Sequence, residues 1–170
     1  MATKMTGAAA VHFLWIFILL TIIQVQGQKS RYDNERNEKI ADFRGFVHVN
    51  GTKYFIDTTP THRDDAQAEC ISRDMNLISF QTEQKYDDAV QWLYDNGHEY
   101  DWMWSGALKN ENSSTWIWEP IGEEISYFRW APDEPTVNND TIRTCISFSF
   151  WSLGWDDDNC LEYSLGYICE

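Results

Sequence analysis

The sequence predicts an α+β domain in which two helices come first and a set of short strands follows. Two stretches in the first half of the chain repeat apolar residues at helical spacing. After Asp101 the chain is rich in Trp and is divided by Gly, Pro and Asn into apolar runs of strand length. Because helices do not alternate with every strand, a doubly wound parallel sheet is not expected. Nine Trp among 170 residues supply enough apolar area for a dense core.

The charge balance limits the partners of the chain. Thirteen basic and 27 acidic side chains give a formal net charge of −14. The phosphate backbone of a nucleic acid attracts Lys and Arg and repels carboxylates, so nucleic-acid binding is not expected. A hard cation held by oxygen ligands is compatible with this composition.

The beginning of the chain is predicted to be a targeting segment. Residues 1–27 contain the apolar run Val11–Ile23, which is shorter than the roughly 20 residues that span a bilayer. A cleaved signal peptide fits better than a membrane anchor, which is the alternative. Residues 28–42 are polar and are predicted to form a mobile tail, so the domain is assigned to residues 43–170. The mature protein is then expected to be secreted, without membrane insertion.

The cysteines fit an oxidising compartment. All four lie in the predicted mature part: Cys70, Cys145, Cys160 and Cys169. An even count in a secreted chain indicates disulfides, and four cysteines allow three pairings. The sequence has no CxxC spacing, so a zinc cluster is not expected. Three Asn-x-Ser/Thr triplets are candidate glycosylation sites: Asn50, Asn112 and Asn139.

The first predicted elements are a hairpin and a helix. Asn50-Gly51 lies between two strand-like runs and favours a type I′ turn. A helix follows, with Thr61 as its predicted N-cap and with Ala66 and Cys70 on one face.

A short strand, Asn76–Phe80, and a second helix are predicted next. Thr82 is placed to cap this helix, and Gly97 to end it in a left-handed conformation. Its apolar face consists of Tyr86, Ala89, Val90 and Leu93. Three later runs have strand character: Thr115–Trp118, Tyr127–Trp130 and Cys145–Trp151.

Five segments in order resemble the C-type lectin-like domain. They are Trp104–Leu108, Trp116–Trp118 with Gly122, Tyr127–Trp130, Glu134–Thr136 and Trp155–Cys160, and the chain closes with Gly166–Glu170 as that family does. The resemblance covers about Val47 to Glu170 and implies a fold of two helices, antiparallel sheets and a long irregular ligand loop. It also implies two disulfides, Cys70–Cys169 and Cys145–Cys160.

The resemblance implies a calcium site that also binds sugar hydroxyls. Glu134 matches the Glu of the family's EPN motif, and the family holds the Glu–Pro bond there in cis. Thr136 falls at the Asn of EPN. Asp156 and Asp157 fall at the Asn and Asp of the family's WND motif, so these four residues are the predicted metal and carbohydrate ligands.

Two positions depart from the family pattern. Thr136 offers a hydroxyl where an amide oxygen is usual, and Arg143 stands where an acidic ligand is usual and cannot donate to a cation. Asp156 adds a negative charge, and Asp140 or Asn138 could supply a replacement ligand because the loop is one residue longer than in common mannose-binding relatives. Asp140 is therefore included among the predicted ligands.

The remaining candidates have a structural alternative. Trp151 is a candidate sugar-stacking platform, although a Trp is more often a core residue. Four other Trp residues are assigned to the core: Trp104, Trp116, Trp118 and Trp130. Asp156–Asp158 alone would be a solvated acidic corner. His48, His62 and His98 have no partner at catalytic spacing, and the sequence has no nucleophile elbow, zincin motif or P-loop, so an enzyme is not expected.

We therefore predict a secreted, calcium-dependent carbohydrate-binding lectin, with a leaning toward mannose-type sugars and glycan recognition in innate immunity. Its expected partners are terminal sugars, and oligomerisation would increase avidity. A lectin-like domain that binds a protein without calcium is the alternative, supported by Thr136 and Arg143. A structural or reproductive-fluid protein is a third possibility that the sequence does not test.

Overall fold

A computed structural model describes residues 41–109, 115–136 and 142–170. These residues belong to one compact unit, Ala41–Glu170. The predicted signal peptide, most of the predicted tail, Asn112, Asn139, Asn138 and Asp140 lie outside the described residues. Within the described ranges, no helix is both long and apolar enough to cross a bilayer.

The described residues form two helices and eight strands. In chain order these are β1 Arg44–Val49, β2 Thr52–His62, α1 Arg63–Ile71, α2 Glu83–Asp95, β3 Met103–Lys109, β4 Trp116–Trp118, β5 Glu123–Glu124, β6 Thr144–Phe148, β7 Trp155–Asn159 and β8 Ser164–Cys169. The main sheet has the order β1-β2-β8-β3-β4-β5, and β6 pairs with both β3 and β7. All pairs are antiparallel except β3 with β8, which is parallel. The α+β prediction is confirmed, with a mixed rather than a purely antiparallel sheet.

The β1–β2 hairpin forms as the Asn-Gly pair predicts. Asn50 and Gly51 both have positive φ, 49° and 84°, which a type I′ turn requires. The register pairs Val49 with Thr52 across the turn.

Both helices form where the apolar spacing predicts them, but one of the two predicted N-caps is absent. The side chain of Thr82 accepts a hydrogen bond from the Lys85 backbone N–H at 3.3 Å, and Gly97 has φ 81° after the end of α2. Thr61 does not cap α1. It lies inside β2, and α1 begins at Arg63 with no side-chain cap at His62.

Two predicted strands are not continuous strands. Asn76–Phe80 contributes only an isolated bridge, Leu77 to Cys169, and Tyr127–Trp130 contributes only the bridge from Trp130 to Trp155. Both segments lack a full ladder of backbone hydrogen bonds. Leu77, Ile78 and Phe80 of the first segment are nevertheless fully buried, whereas Tyr127 and Trp130 of the second are only half-buried against the core.

The core and the disulfides connect the two halves of the sequence. Trp104 and Trp118 are buried as predicted, whereas Trp116 and Trp130 are only half-buried against the core. The Cys70–Cys169 bridge joins α1 to β8 across a sequence separation of 99, and Cys145–Cys160 joins the ends of β6 and β7 across 15. The pairing that the resemblance implies is therefore the one present.

Candidate functional site

The start of β7 positions one side of the candidate site. Trp155 is fully buried, and its backbone N–H donates to the Arg129 carbonyl at 2.7 Å. The Ala131 N–H donates in turn to the Trp155 carbonyl at 3.0 Å. These two bonds hold the chain at 129–131 beside β7, so the next turn brings the segment that begins at Glu134 to the acidic residues after Trp155.

Glu134 and Asp157 converge on one backbone group. The Thr136 N–H donates to Asp157 Oδ1 at 2.6 Å and to Glu134 Oε2 at 3.0 Å. The Glu134–Pro135 peptide bond is cis. Two carboxylates that are 23 positions apart in sequence thus share a single donor.

Asp156 adds a carboxylate that is short of partners. Its Oδ1 atom is buried and has no hydrogen-bond partner among the described residues. Burial, followed by the negative charges of Asp158 and Asp157, raises the pKa of Asp156 from 3.8 to about 6. Burial and the neighbouring Asp157 and Asp156 also raise the pKa of Glu134. The site therefore concentrates negative charge on a short stretch of surface.

The candidate site offers carboxylate oxygens, which are the ligands that a hard cation binds. Asp156, which is next to Asp157 in β7, offers a buried carboxylate oxygen without a partner, and carboxylate oxygens are the donors that Ca²⁺ prefers. In residues 41–109, 115–136 and 142–170, however, no three or more His, Cys, Asp or Glu side chains are arranged to hold a metal ion. Glu134 and Asp157 each direct one oxygen at the Thr136 N–H, so an ion would compete with that N–H for these carboxylates.

Arg143 does not place its charge on these carboxylates. Its Nη1 donates to Asp64 Oδ1 at 2.6 Å and to Oδ2 at 2.8 Å, and its Nη2 lies 3.4 Å from Glu119 Oε1. Glu119 also pairs with Arg63, which is buried. We name this set, Asp64–Arg143–Glu119–Arg63, the ion chain. Arg143, which stands where the family pattern has an acidic ligand, therefore pairs with acidic residues outside the site.

The ion chain was not predicted. The available signal was the spacing of Arg63, which shares the buried face of α1 with Ala66 and Cys70 and so required an acidic partner. The sequence did not show that this partner would come from the end of β4.

Trp151 does not lie in the core. It is exposed in the turn between β6 and β7, and its indole contacts the ring of Tyr100 with centroids 5.5 Å apart. Asn50, a glycosylation candidate, is also exposed, and its side chain donates to Asp88 Oδ1 at 2.8 Å.

Comparison with known proteins shows the family. Residues 59–170 match the model of the lectin C-type domain, and the chain belongs to this family. The C-type isolectin Sp-CL4 from Scorpaena plumieri is 33% identical over 119 residues, which cover 69% of this chain and 77% of that protein.

Solved structures share the fold. The SPL-1–GlcNAc complex aligns with a TM-score of 0.60 at 22% identity, covering 74% of this chain and 90% of that one. The Ca²⁺-independent C-type lectin SPL-2 from Saxidomus purpuratus aligns with a TM-score of 0.61 at 22% identity, covering 74% and 89%.

Proposed function

We propose that this chain is a secreted, calcium-dependent carbohydrate-binding lectin whose glycan site is formed by Glu134, Thr136, Asp156 and Asp157. The observation that carries the proposal is the convergence of Glu134 and Asp157 on the Thr136 N–H, beside the unpartnered buried oxygen of Asp156. The family, and the GlcNAc in the complex of its structural neighbour SPL-1, support sugar as the ligand class.

The residues have separate roles in this proposal. Glu134, Asp156 and Asp157 would hold a calcium ion, which supplies a positive centre for sugar hydroxyl oxygens. The carboxylates also accept hydrogen bonds from the same hydroxyls, and charge-assisted bonds of this kind are stronger than neutral ones. The Thr136 N–H orients Glu134 and Asp157 before a ligand arrives. No covalent bond is formed or broken.

The ligand preference and the biological role extend the same proposal. Glu134-Pro135 resembles the EPN motif, which leans toward mannose-type sugars with equatorial hydroxyls. A short secreted module of this family suits recognition of microbial glycans in innate immunity, and several chains together would raise avidity.

A lectin-like domain that binds a protein without calcium is the second candidate. Arg143 pairs with Asp64 and Glu119 instead of contributing an acidic ligand, and one oxygen each of Glu134 and Asp157 already accepts the Thr136 N–H. The structural neighbour SPL-2 is a calcium-independent lectin, which supports this candidate.

A glycan array with the secreted protein separates the two candidates. We expect binding to mannose-type glycans in Ca²⁺ that is strongly weakened in EDTA and in the Glu134→Gln variant. Glu124→Gln is the matched control because Glu124 is an exposed residue of β5 outside the site, and its binding should equal that of the wild type. Binding to no glycan in Ca²⁺ would favour the protein-partner candidate, and equal glycan binding by Glu134→Gln would reject Glu134 as a ligand of the site.

A further inference from the structure

The turn between β6 and β7 presents an aromatic surface to solvent. Trp151 is 56% exposed and Tyr100 is 45% exposed, and their ring planes are inclined by 57°. We name this pair the aromatic platform. Beside it, Phe150 stacks on Tyr94 of α2 with centroids 4.6 Å apart, so two aromatic contacts join the same two segments of the chain.

Hydrogen bonds fix the backbone of the turn that carries Trp151. The Ser149 N–H donates to Ser152 Oγ at 3.1 Å, the Ser152 N–H donates to Ser149 Oγ at 3.0 Å, and the Ser152 hydroxyl contacts the Gly154 carbonyl at 2.7 Å. The Tyr86 hydroxyl reaches the carbonyls of Ser149 and Gly154 from below, at 3.4 and 3.3 Å.

Close backbone contact fixes the end of the same turn. A Cβ atom on Gly154 would lie 2.5 Å from the Ala131 nitrogen, so the chain there packs directly on 130–131. A turn that is fixed in this way loses little backbone conformational entropy when a ligand covers the aromatic side chain it carries.

The acidic residues around Tyr100 disfavour anionic ligands at the aromatic platform. Tyr100 lies between Glu99 and Asp101 in the chain, and neither segment 94–101 nor segment 149–154 contains Lys or Arg. Carboxylates in segments without Lys or Arg repel phosphate-rich surfaces such as nucleic acids and anionic membranes. Carboxylates also accept hydrogen bonds from hydroxyl groups, and of the two flanking residues Asp101 already contacts His98 Nδ1 through Oδ2 at 2.8 Å. A neutral sugar meets both requirements, because its C–H face packs on an aromatic ring while its hydroxyls donate at the edge.

We propose that Trp151 and Tyr100 form a second carbohydrate subsite, which binds a neutral pyranose ring by stacking and does not need a metal ion. This assignment deepens the proposed glycan binding and rests on it. Trp151 and Asp156 are five positions apart, so their Cα atoms are separated by at most about 18 Å of extended chain. Each subsite takes at least one residue from the β6–β7 hairpin, Trp151 in one case and Asp156 in the other.

Ligand-observed saturation-transfer NMR on the secreted protein in EDTA tests the subsite, with triacetylchitotriose and mannotriose as probes. We expect saturation transfer to at least one probe, weakened about fivefold to tenfold in affinity by Trp151→Ala. Trp151→Phe keeps an aromatic face and should retain most of the binding. Tyr163→Ala is the matched control because Tyr163 is also 45% exposed and lies outside both segments.

Several results would overturn the subsite. These are no saturation transfer to either sugar in EDTA, equal sugar binding by Trp151→Ala and the wild type, or self-association that disappears in Trp151→Ala. Glycan binding in Ca²⁺ that depends on Glu134 but not on Trp151 would retain the proposed function and reject the subsite. EDTA-resistant binding that depends on Trp151, together with no effect of Glu134→Gln on glycan binding in Ca²⁺, would reject the calcium site and retain the subsite.

Discussion

The surroundings of Asp156 determine the pKa of its carboxyl group. It faces the same side of β7 as Asp158, and Asp158 already accepts a hydrogen bond from the Ser147 hydroxyl at 2.5 Å. Asp156 Oδ1 has no such donor within the described part of the chain, so burial and two neighbouring charges raise its pKa to about 6. The ionised form of this residue is therefore a cost to the folded protein when no cation is present.

We predict that Asp156→Asn stabilises the metal-free protein at neutral pH. A carboxyl whose pKa is higher in the folded state binds protons more readily there than when unfolded, so stability falls as pH rises from about 4 to about 6. After discounting for partial exposure, the Asn variant should gain about 1–2 kcal/mol at pH 7.5 and lose this gain near pH 4. Urea unfolding in EDTA at both pH values measures the difference.

Asp95→Asn is the control for this prediction. Asp95 is exposed on α2, where its side chain accepts a hydrogen bond from Gln91, so its replacement should not produce a comparable gain. Equal stability of the wild type and Asp156→Asn at pH 7.5, or a difference that grows on acidification, would contradict the assigned origin of the raised pKa.

At the scale of elements, the ion chain joins three segments that are distant in sequence. It connects the start of α1, the residue after β4 and the residue before β6. Its members differ in exposure: the side chain of Arg63 is 1% exposed, Glu119 is 34% exposed and Asp64 is 58% exposed. Loss of a partner from a buried charge costs far more than loss of a surface pair.

We predict that Glu119→Gln destabilises the domain much more than Asp64→Asn. The first change leaves the buried Arg63 guanidinium without its main acidic partner and should cost about 3 kcal/mol or more. The second change removes an exposed partner of Arg143 and should cost less than about 1 kcal/mol. Chemical denaturation of the two variants provides the comparison, and equal losses would show that Glu119 does not neutralise Arg63.

Local sequence patterns predicted most of the helices and turns, because the interactions that form these elements join residues close together in the chain. The Asn50-Gly51 turn, the Thr82 cap and the apolar face of α2 depend on neighbours within one turn of the chain. The predicted Thr61 cap failed because pairing with β8 extends β2 through Thr61 and His62, and the sequence does not reveal where a long-range strand pair ends.

The site was predictable only in part for the same reason. The resemblance identified Glu134 and Asp157, and the structure brings them to one N–H. The contacts of Arg143 with Asp64 and of Trp151 with Tyr100 join residues that no local pattern relates.

At the scale of the whole molecule, the two disulfides and the surplus of acidic residues set the conditions for ligand binding. The bridges close loops with separations of 99 and 15, for which loop-entropy estimates give nearly 5 and about 3 kcal/mol. A scaffold fixed in this way can keep carboxylates close together although the chain carries a net charge of −14. A bound cation would relieve that repulsion at the candidate site and stabilise the folded state by linkage.

The most direct test of the proposed calcium site is calorimetric titration of Ca²⁺ into the purified protein and its Asp157→Asn variant. We predict a single class of site with an affinity on the order of 10⁻⁴ to 10⁻³ M, the range of extracellular modules. Binding should be lost in Asp157→Asn and retained in Asp95→Asn. An absence of calcium heat in the wild type, or the same heat in Asp157→Asn, would contradict the proposal that Glu134, Asp156 and Asp157 form a calcium site.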